Sequence, residues 1–237
     1  MSNLSNKHIL LGISGSIAAY KSAELIRRLQ DSGAMVRVVM TKSSMEFITP
    51  LTMQALSKNP VHTELLDEAS ESAMSHIELA RWADFLIAAP ASANLIAKLT
   101  HGRSDNLLTA VCLATSSDIL LAPAMNQQMW LNSATQENIA TLRSRGYYIS
   151  TPEDGDQACG ETGPGRMAEP SQIISLTNTL FQSGLLAGTN MLITAGPTRE
   201  PLDPVRYLIS IFLFVFLLIS FFIISVKIFP DKIPNRV

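Results

Sequence analysis

Cysteine is scarce in this chain, and charge of one sign never accumulates. The two cysteines, Cys112 in an apolar stretch and Cys159 in a glycine-rich segment, have contexts too different for a disulfide framework. The 18 basic and 20 acidic residues nearly balance, and no basic patch is interleaved with aromatic residues. Nucleic acid is therefore not expected as a partner. Residues 1–7 lack the pattern of a secretory signal, so we expect a cytoplasmic protein.

Histidine is scarce as well. Only four occur, and no cluster of histidine and cysteine has the spacing of a metal site, so the sequence predicts no bound metal. His62 and His101 lie in segments that suggest no catalytic role, and both are expected at the surface. His76 precedes a helical stretch, where a histidine is often a capping or surface residue.

Short apolar runs alternate with helical patterns along most of the chain. The runs predict strands at residues 9–13, 36–40, 85–89, 119–122 and 147–149. The helical patterns lie at residues 17–31, 92–99, 105–114, 133–145 and 171–181. This alternation predicts an α/β fold, a three-layer doubly wound parallel sheet covered by helices on both faces. Its length suits one domain over residues 1–190.

Small and polar residues follow three of the predicted strands. The segments 12–16, 41–44 and 89–94 supply glycines, hydroxyls and free amides at one edge of the sheet. Such groups at a helix amino terminus favour a phosphate, and small residues let a flat ring approach the backbone. A tight strand-to-helix turn also needs glycine without any ligand, so the turn at Gly15 alone leaves both interpretations open.

Two further segments carry candidate chemistry. Residues 123–130 follow a predicted buried strand, where open α/β sheets bind ligands, and they include the amide of Asn126, two thioethers and an indole. Residues 157–167 are too rich in glycine to be expected as helix or strand, so Cys159 is predicted to be displayed on a loop. A displayed thiol can act as nucleophile or acid, although a free cysteine often only fills a gap in the core.

The turn at residues 12–16, the Pro-Ala-Met-Asn segment at 123–126 and the cysteine loop together resemble the flavin-dependent cysteine decarboxylases, from about residue 8 to 208. The resemblance implies a flavodoxin-like or Rossmann-like flavoprotein that binds FMN. It also implies decarboxylation of 4'-phosphopantothenoylcysteine to 4'-phosphopantetheine in coenzyme A biosynthesis. In that chemistry the substrate thiol is oxidised to a thioaldehyde, carbon dioxide leaves, and the ene-thiolate is then protonated and reduced.

The resemblance also assigns roles to residues. It implies three catalytic residues, with His76 assisting proton removal, Asn126 holding the substrate carboxylate and Cys159 donating a proton. The residues expected to bind FMN are Gly15, Ser16, Ser43, Ala91, Ser92 and Asn94. Those expected to contact the substrate are Asn126, Met125, Met129 and Arg166. Relatives in this family imply a homotrimer or a multiple of it.

Two other functions remain open from the sequence. A flavin-binding module that acts through protein contacts would need none of His76, Asn126 and Cys159, so their joint presence disfavours it. A flavin prenyltransferase-like enzyme on a related fold is disfavoured by the Pro-Ala-Met-Asn segment and the cysteine loop.

The carboxyl end departs from the family pattern. Residues 191–208 resemble the start of the CTP-dependent phosphopantothenate-cysteine ligase that follows the decarboxylase in bifunctional relatives, and we expect ligase activity to be lost. Residues 209–237 form an apolar tail, and the apolar run 208–226 is long enough to cross a bilayer of roughly 30 Å. This tail is either a membrane anchor or, as its abrupt phenylalanine enrichment favours, the product of an interrupted gene.

Overall fold

A six-stranded parallel sheet organises the larger part of the chain. The computed structural model describes residues 4–65, 75–183, 199–201 and 207–209. The strands of the sheet are β1 (His8–Ile13), β2 (Met35–Met40), β3 (Val61–His62), β4 (Phe85–Ala91), β5 (Asp118–Pro123) and β6 (Tyr148–Ile149). They lie in the order β3-β2-β1-β4-β5-β6. The predicted α/β doubly wound sheet is confirmed, and its order reverses between β1 and β4, where such folds bind ligands.

Helices cover both faces of this sheet. They are α1 (Ala19–Asp31), α2 (Pro50–Ser57), α3 (Ser75–Trp82), α4 (Ala93–Thr100), α5 (Leu107–Ala114), α6 (Gln127–Leu131), α7 (Ser133–Ser144) and α8 (Pro170–Ser183). A 3-10 turn, Lys42–Ser44, follows β2. The helices α2 and α6 and the short strand β3 are additions to the elements that the sequence predicted.

The sheet separates two apolar cores because side chains along a strand alternate between its faces. In β1, Ile9 and Leu11 pack with buried residues of α1 and α8, whereas Leu10 packs with residues of α4, α5 and α7. Every residue of β4 is buried, as expected for a strand covered on both sides. The predicted packing of the last helix on the sheet is confirmed by Ile173 of α8, which is fully buried.

An antiparallel hairpin follows the sheet and corrects one prediction. Its strands are β7 (Glu153–Asp156) and β8 (Thr162–Arg166), so the segment expected to be only a loop contains a strand. Glycine permits this strand, because a Cβ at Gly165 would collide with the main-chain oxygen of Met125 and one at Gly163 with the side chain of Gln127. The loop between the strands does carry Cys159, which is exposed as predicted.

The chain divides into two compact units, residues 1–181 and 182–237. In the second unit, β9 (Arg199–Pro201) pairs antiparallel with β10 (Tyr207–Ile209). No helix in the described part of the chain is long and apolar enough to cross a membrane. The predicted apolar tail lies outside the described residues, except that Leu208 and Ile209 belong to β10.

Candidate functional site

Two adjoining cavities open at the carboxyl end of the sheet. The first, here called the strand-end cavity, has a volume of about 460 Å³ and lies beside the turns that follow β1, β2 and β4. The second, the hairpin cavity, has a volume of about 400 Å³ and lies between the start of α1 and the β7–β8 hairpin. Both are lined by Ser16, Ala124 and Met125, so the two cavities share a wall. Their sizes suit small organic ligands.

Most of the residues predicted to bind FMN line the strand-end cavity. They are Gly15, Ser16, Ser43, Ser92 and Asn94. Ala91 is fully buried in β4 and is absent from the described lining residues of this cavity. Met129, expected against the substrate, lines the strand-end cavity instead of the hairpin cavity. These roles stay predictions, but the structure does bring the three predicted segments together.

Ser14 holds two of these segments together and was missed as a site residue. Its buried Oγ donates to the main-chain oxygen of Pro90 at 2.7 Å and accepts from the main-chain N of Ser92 at 2.8 Å. The turn after β1 is thereby fixed to the turn after β4. The sequence placed Ser14 in the glycine turn but gave no signal for its long-range partners.

The strand-end cavity fits a ligand with polar oxygen atoms. The Oγ1 of Thr41 is buried at this cavity and has no hydrogen-bond partner among the described residues, a condition that a bound polar group would relieve. A Cβ at Gly15 would lie 2.6 Å from Cβ of Ser43, so glycine is needed where the two turns meet. Lys42 and Lys98 add positive charge to the lining, although Lys98 also donates to Asp105 at 2.9 Å. That hydrogen bond lowers the pKa of the Asp105 carboxyl.

The hairpin cavity contains two of the three predicted catalytic residues. Asn126 and Cys159 both line it, and Nδ2 of Asn126 lies 3.3 Å from Sγ of Cys159. Asn126 is the N-cap of α6, where its Oδ1 accepts from the main-chain N of Gln128 at 2.8 Å. Capping fixes the side chain and leaves its amide hydrogens for other partners. The resemblance implied that both residues serve one site, and the structure brings them into contact although 33 positions separate them.

Two cations also line the hairpin cavity. Arg166, a predicted substrate contact, extends from β8. Lys21 of α1 is buried and donates to the main-chain oxygen of Met167 at 2.9 Å and to Glu169 at 2.7 Å. Lys21 was missed by the sequence analysis, since a lysine in an amphipathic helix is ordinarily solvated. Because Lys21 is paired with the Glu169 carboxylate, Arg166 is the cation of this lining that favours an anionic ligand.

His76 lies apart from the other two catalytic candidates. In the described part of the chain it is not among the residues that line either cavity. Its Nδ1 is buried without a hydrogen-bond partner among the described residues. The structure of one chain therefore gives His76 no partner at the site, and its catalytic role stays a prediction. Among the described residues no group of three His, Cys, Asp or Glu side chains is arranged to hold a metal ion.

The doubly wound sheet with its ligand cavities at the strand ends defines the class of the molecule as an α/β flavodoxin-like protein. The sequence model of the family described as Flavoprotein matches residues 1–182, and that of the DNA/pantothenate metabolism flavoprotein C-terminal domain matches residues 186–211. The chain belongs to the flavoprotein family that includes the flavin-dependent cysteine decarboxylases, which confirms the resemblance and flavin binding.

Characterised relatives agree with this placement. The coenzyme A biosynthesis bifunctional protein CoaBC of Vibrio parahaemolyticus is 59% identical over 208 residues, which cover 88% of this chain and 52% of that protein. The protein of the same name from Escherichia coli is 53% identical over 207 residues, which cover 87% of this chain and 51% of that protein. The chain thus spans about half the length of the curated relatives it matches.

Solved structures show the same fold. A mutant PPC decarboxylase complexed with pantothenoylaminoethenethiol has a TM-score of 0.67 and 36% identity, covering 75% of this chain and 99% of that one. The FMN-dependent cysteine decarboxylase SpaF has a TM-score of 0.67 and 30% identity, and the match covers 76% of this chain and 99% of that one.

Proposed function

We propose that this protein is an FMN-dependent decarboxylase that converts 4'-phosphopantothenoylcysteine to 4'-phosphopantetheine in coenzyme A biosynthesis. The observation that carries the proposal is the contact between Asn126 and Cys159 in a cavity that shares a wall with the strand-end cavity. A carboxylate anchor and a proton donor thus lie together beside the candidate flavin site. Relatives named for coenzyme A biosynthesis and PPC decarboxylation support the choice of substrate.

FMN is proposed for the strand-end cavity, held by the turns that contain Gly15, Ser43 and Ser92. When bound there, FMN supplies a two-electron acceptor and donor for the sulfur-bearing carbon of the substrate. The unpartnered Oγ1 of Thr41 and the charge of Lys42 suit the polar part of such a cofactor. Met125, in the wall between the cavities, contributes an apolar surface where the two ligands would meet.

The residues of the hairpin cavity bind and protonate the substrate in this proposal. Asn126 donates an amide hydrogen to the cysteinyl carboxylate, which orients the bond that breaks when carbon dioxide leaves. Cys159 then donates its thiol proton to the ene-thiolate left by decarboxylation. Arg166 contributes positive charge that favours the phosphorylated, carboxylated substrate over neutral thiols, whereas the charge of Lys21 is balanced by Glu169.

A homotrimer, or a multiple of it, is proposed as the assembly. The support within this chain is indirect. Ile17 and Tyr20 line the hairpin cavity yet are about 60% exposed, which is high for apolar residues at a binding site. His76, placed away from the cavities of its own chain, would assist proton removal only from a neighbouring subunit. Light scattering of the full chain checks this, and an active monomer would contradict it.

The test of the function is direct. The purified chain is supplied with FMN and 4'-phosphopantothenoylcysteine, and released carbon dioxide and 4'-phosphopantetheine are measured together. We expect both products in equal amounts with no added oxidant or reductant, because the oxidation and the reduction cancel. Flavin binding without carbon dioxide release would instead support the non-catalytic flavin-binding module.

A further inference from the structure

The side chain of Gln157 joins the two segments that form the hairpin cavity. Its Oε1 accepts from Nδ2 of Asn126 at 3.3 Å and from the main-chain N of Gln127 at 3.1 Å. Its Nε2 donates to the main-chain oxygens of Pro164 at 3.1 Å and Gly163 at 3.4 Å. Donors surround one end of the amide and acceptors the other, so only one orientation of the side chain satisfies all four contacts.

The main chain of Gln157 is fixed as well. Its N–H donates to the main-chain oxygen of Glu161 at 2.8 Å, and its main-chain oxygen accepts from Gly160 at 2.9 Å. These bonds close the tight loop that carries Cys159, whose Sγ lies 3.8 Å from Oε1 of Gln157. The residue is half-buried, whereas Cys159 and Glu161 beside it are exposed. Gln157 is therefore the fixed point of an otherwise exposed loop.

The amide of Asn126 has more acceptors than hydrogens. Its Nδ2 carries two hydrogens, and three acceptors lie near it. They are Oε1 of Gln157 at 3.3 Å, Sγ of Cys159 at 3.3 Å and Oε2 of Glu161 at 2.6 Å. A thiol sulfur is a weak acceptor, so the two oxygens take the hydrogens. One oxygen belongs to a fixed neutral amide and the other to an exposed carboxylate.

We infer that Gln157 is a positioning residue, which holds one amide hydrogen of Asn126 so that the other is presented to the substrate carboxylate. In the free chain the carboxylate of Glu161 accepts a hydrogen bond from that second hydrogen. The substrate carboxylate takes the place of Glu161, because both groups are carboxylates. This inference rests on the proposed function, since it assumes a substrate that carries a carboxylate at this place.

A change in the charge of residue 157 tests this positioning role. Gln157→Glu keeps the shape and one acceptor oxygen, but it removes the donor to Pro164 and places a negative charge beside the arriving carboxylate. We expect KM for the substrate to rise about tenfold, with flavin affinity and the flavin spectrum unchanged. A purely structural role predicts the reverse pattern, with loss of stability or flavin and an unchanged KM. Gln54→Glu, the same change at an exposed position of α2, is the matched control and should behave as the wild type.

The opposite change is made at Glu161. Glu161→Gln keeps the shape and removes the competing carboxylate, so KM should fall by about two- to fivefold. An increase in KM would overturn the displacement of Glu161 by the substrate. Because Glu161 is exposed, this variant carries the test if Gln157→Glu does not fold.

Alkylation of Cys159 by iodoacetamide gives a readout that needs no turnover. Sγ of Cys159 already lies 3.9 Å from Oε2 of Glu161. Gln157→Glu adds a second negative charge beside the thiol, so it should slow the labelling several-fold at pH 8, and Gln54→Glu should not. Unchanged labelling and a KM within twofold of the wild type would together overturn the inference while leaving the decarboxylase proposal intact. A wild-type protein that releases no carbon dioxide would remove the decarboxylase proposal, and the labelling rates would still show whether the side chain of residue 157 lies beside Sγ of Cys159.

Discussion

The strand-end cavity and the hairpin cavity are built in different ways. The first is formed by turns that follow buried strands, and its Ser14 and Gly15 are held by the sheet itself. The second depends on a glycine-rich hairpin whose side chains bind one another, with Cys159 and Glu161 exposed at its tip. A rigid site suits a cofactor that stays bound, and a site closed by a loop suits a substrate that must enter and leave. Changes to the first should therefore alter flavin binding, and changes to the second should alter turnover.

The two thiols provide the largest contrast between the sheet region and the hairpin. Burial raises the pKa of Cys112 in α5 to about 12, so at pH 8 only about one molecule in ten thousand carries its thiolate. Cys159 is exposed. We expect Ellman's reagent to label one thiol per native chain and two after denaturation. Peptide mapping that finds Cys112 labelled first in the native protein would contradict the described burial.

The next largest effect is expected from removing the proton donor of the hairpin. Cys159→Ser should lower 4'-phosphopantetheine formation by at least about a hundredfold, because a hydroxyl is a much weaker acid than a thiol. Flavin affinity should not change, and an oxidised ene-thiol product should accumulate in the mass spectrum. Cys112→Ala is the control for loss of a thiol. Normal amounts of 4'-phosphopantetheine from Cys159→Ser would rule out Cys159 as the proton donor.

A steric change in the strand-end cavity should have the complementary effect. Gly15→Val places side-chain atoms where a Cβ alone would lie 2.6 Å from Cβ of Ser43. Flavin affinity, measured by fluorescence quenching, should fall by about ten- to a hundredfold. Labelling of Cys159 should remain at the wild-type rate, because the hairpin does not depend on this turn. Ala134→Val at an exposed position of α7 is the control, and equal flavin affinity in all three proteins would place the flavin elsewhere.

The smallest effect is expected from the hydroxyl that joins the two strand-end turns. Ser14→Ala leaves the main-chain groups of Pro90 and Ser92 without this partner, a change worth about 1–3 kcal/mol of unfolding free energy. Denaturant unfolding of the flavin-free protein should show the loss, and flavin affinity should fall only a few-fold. Ser175→Ala, an exposed serine of α8, should change neither quantity. No loss of stability in Ser14→Ala would mean that the link between the turns is dispensable.

The sequence predicted the sheet region far better than the hairpin. Strands such as β1 and β4 are continuous apolar runs, and the turns after them lie at one edge in any doubly wound sheet. The glycine-rich strand β8 was not predicted, because glycine is usually unfavourable in a strand. Glycine is needed in β8 because the strand closely approaches the main chain of Met125, which is distant in sequence. Gln157 was missed for the same reason, since its partners at Asn126 and Pro164 are set by that approach.

The most direct measurement is a crystal structure of the chain with FMN and a substrate analogue that keeps the carboxylate but lacks the thiol. FMN is expected in the strand-end cavity beside Gly15 and Ser43, and the carboxylate of the analogue is expected on the amide of Asn126 in the place of Glu161. The same crystals would show whether a neighbouring subunit brings His76 to the hairpin cavity. An FMN bound in the hairpin cavity, or an analogue whose carboxylate lies away from Asn126, would contradict the division of the site into a cofactor cavity and a substrate cavity.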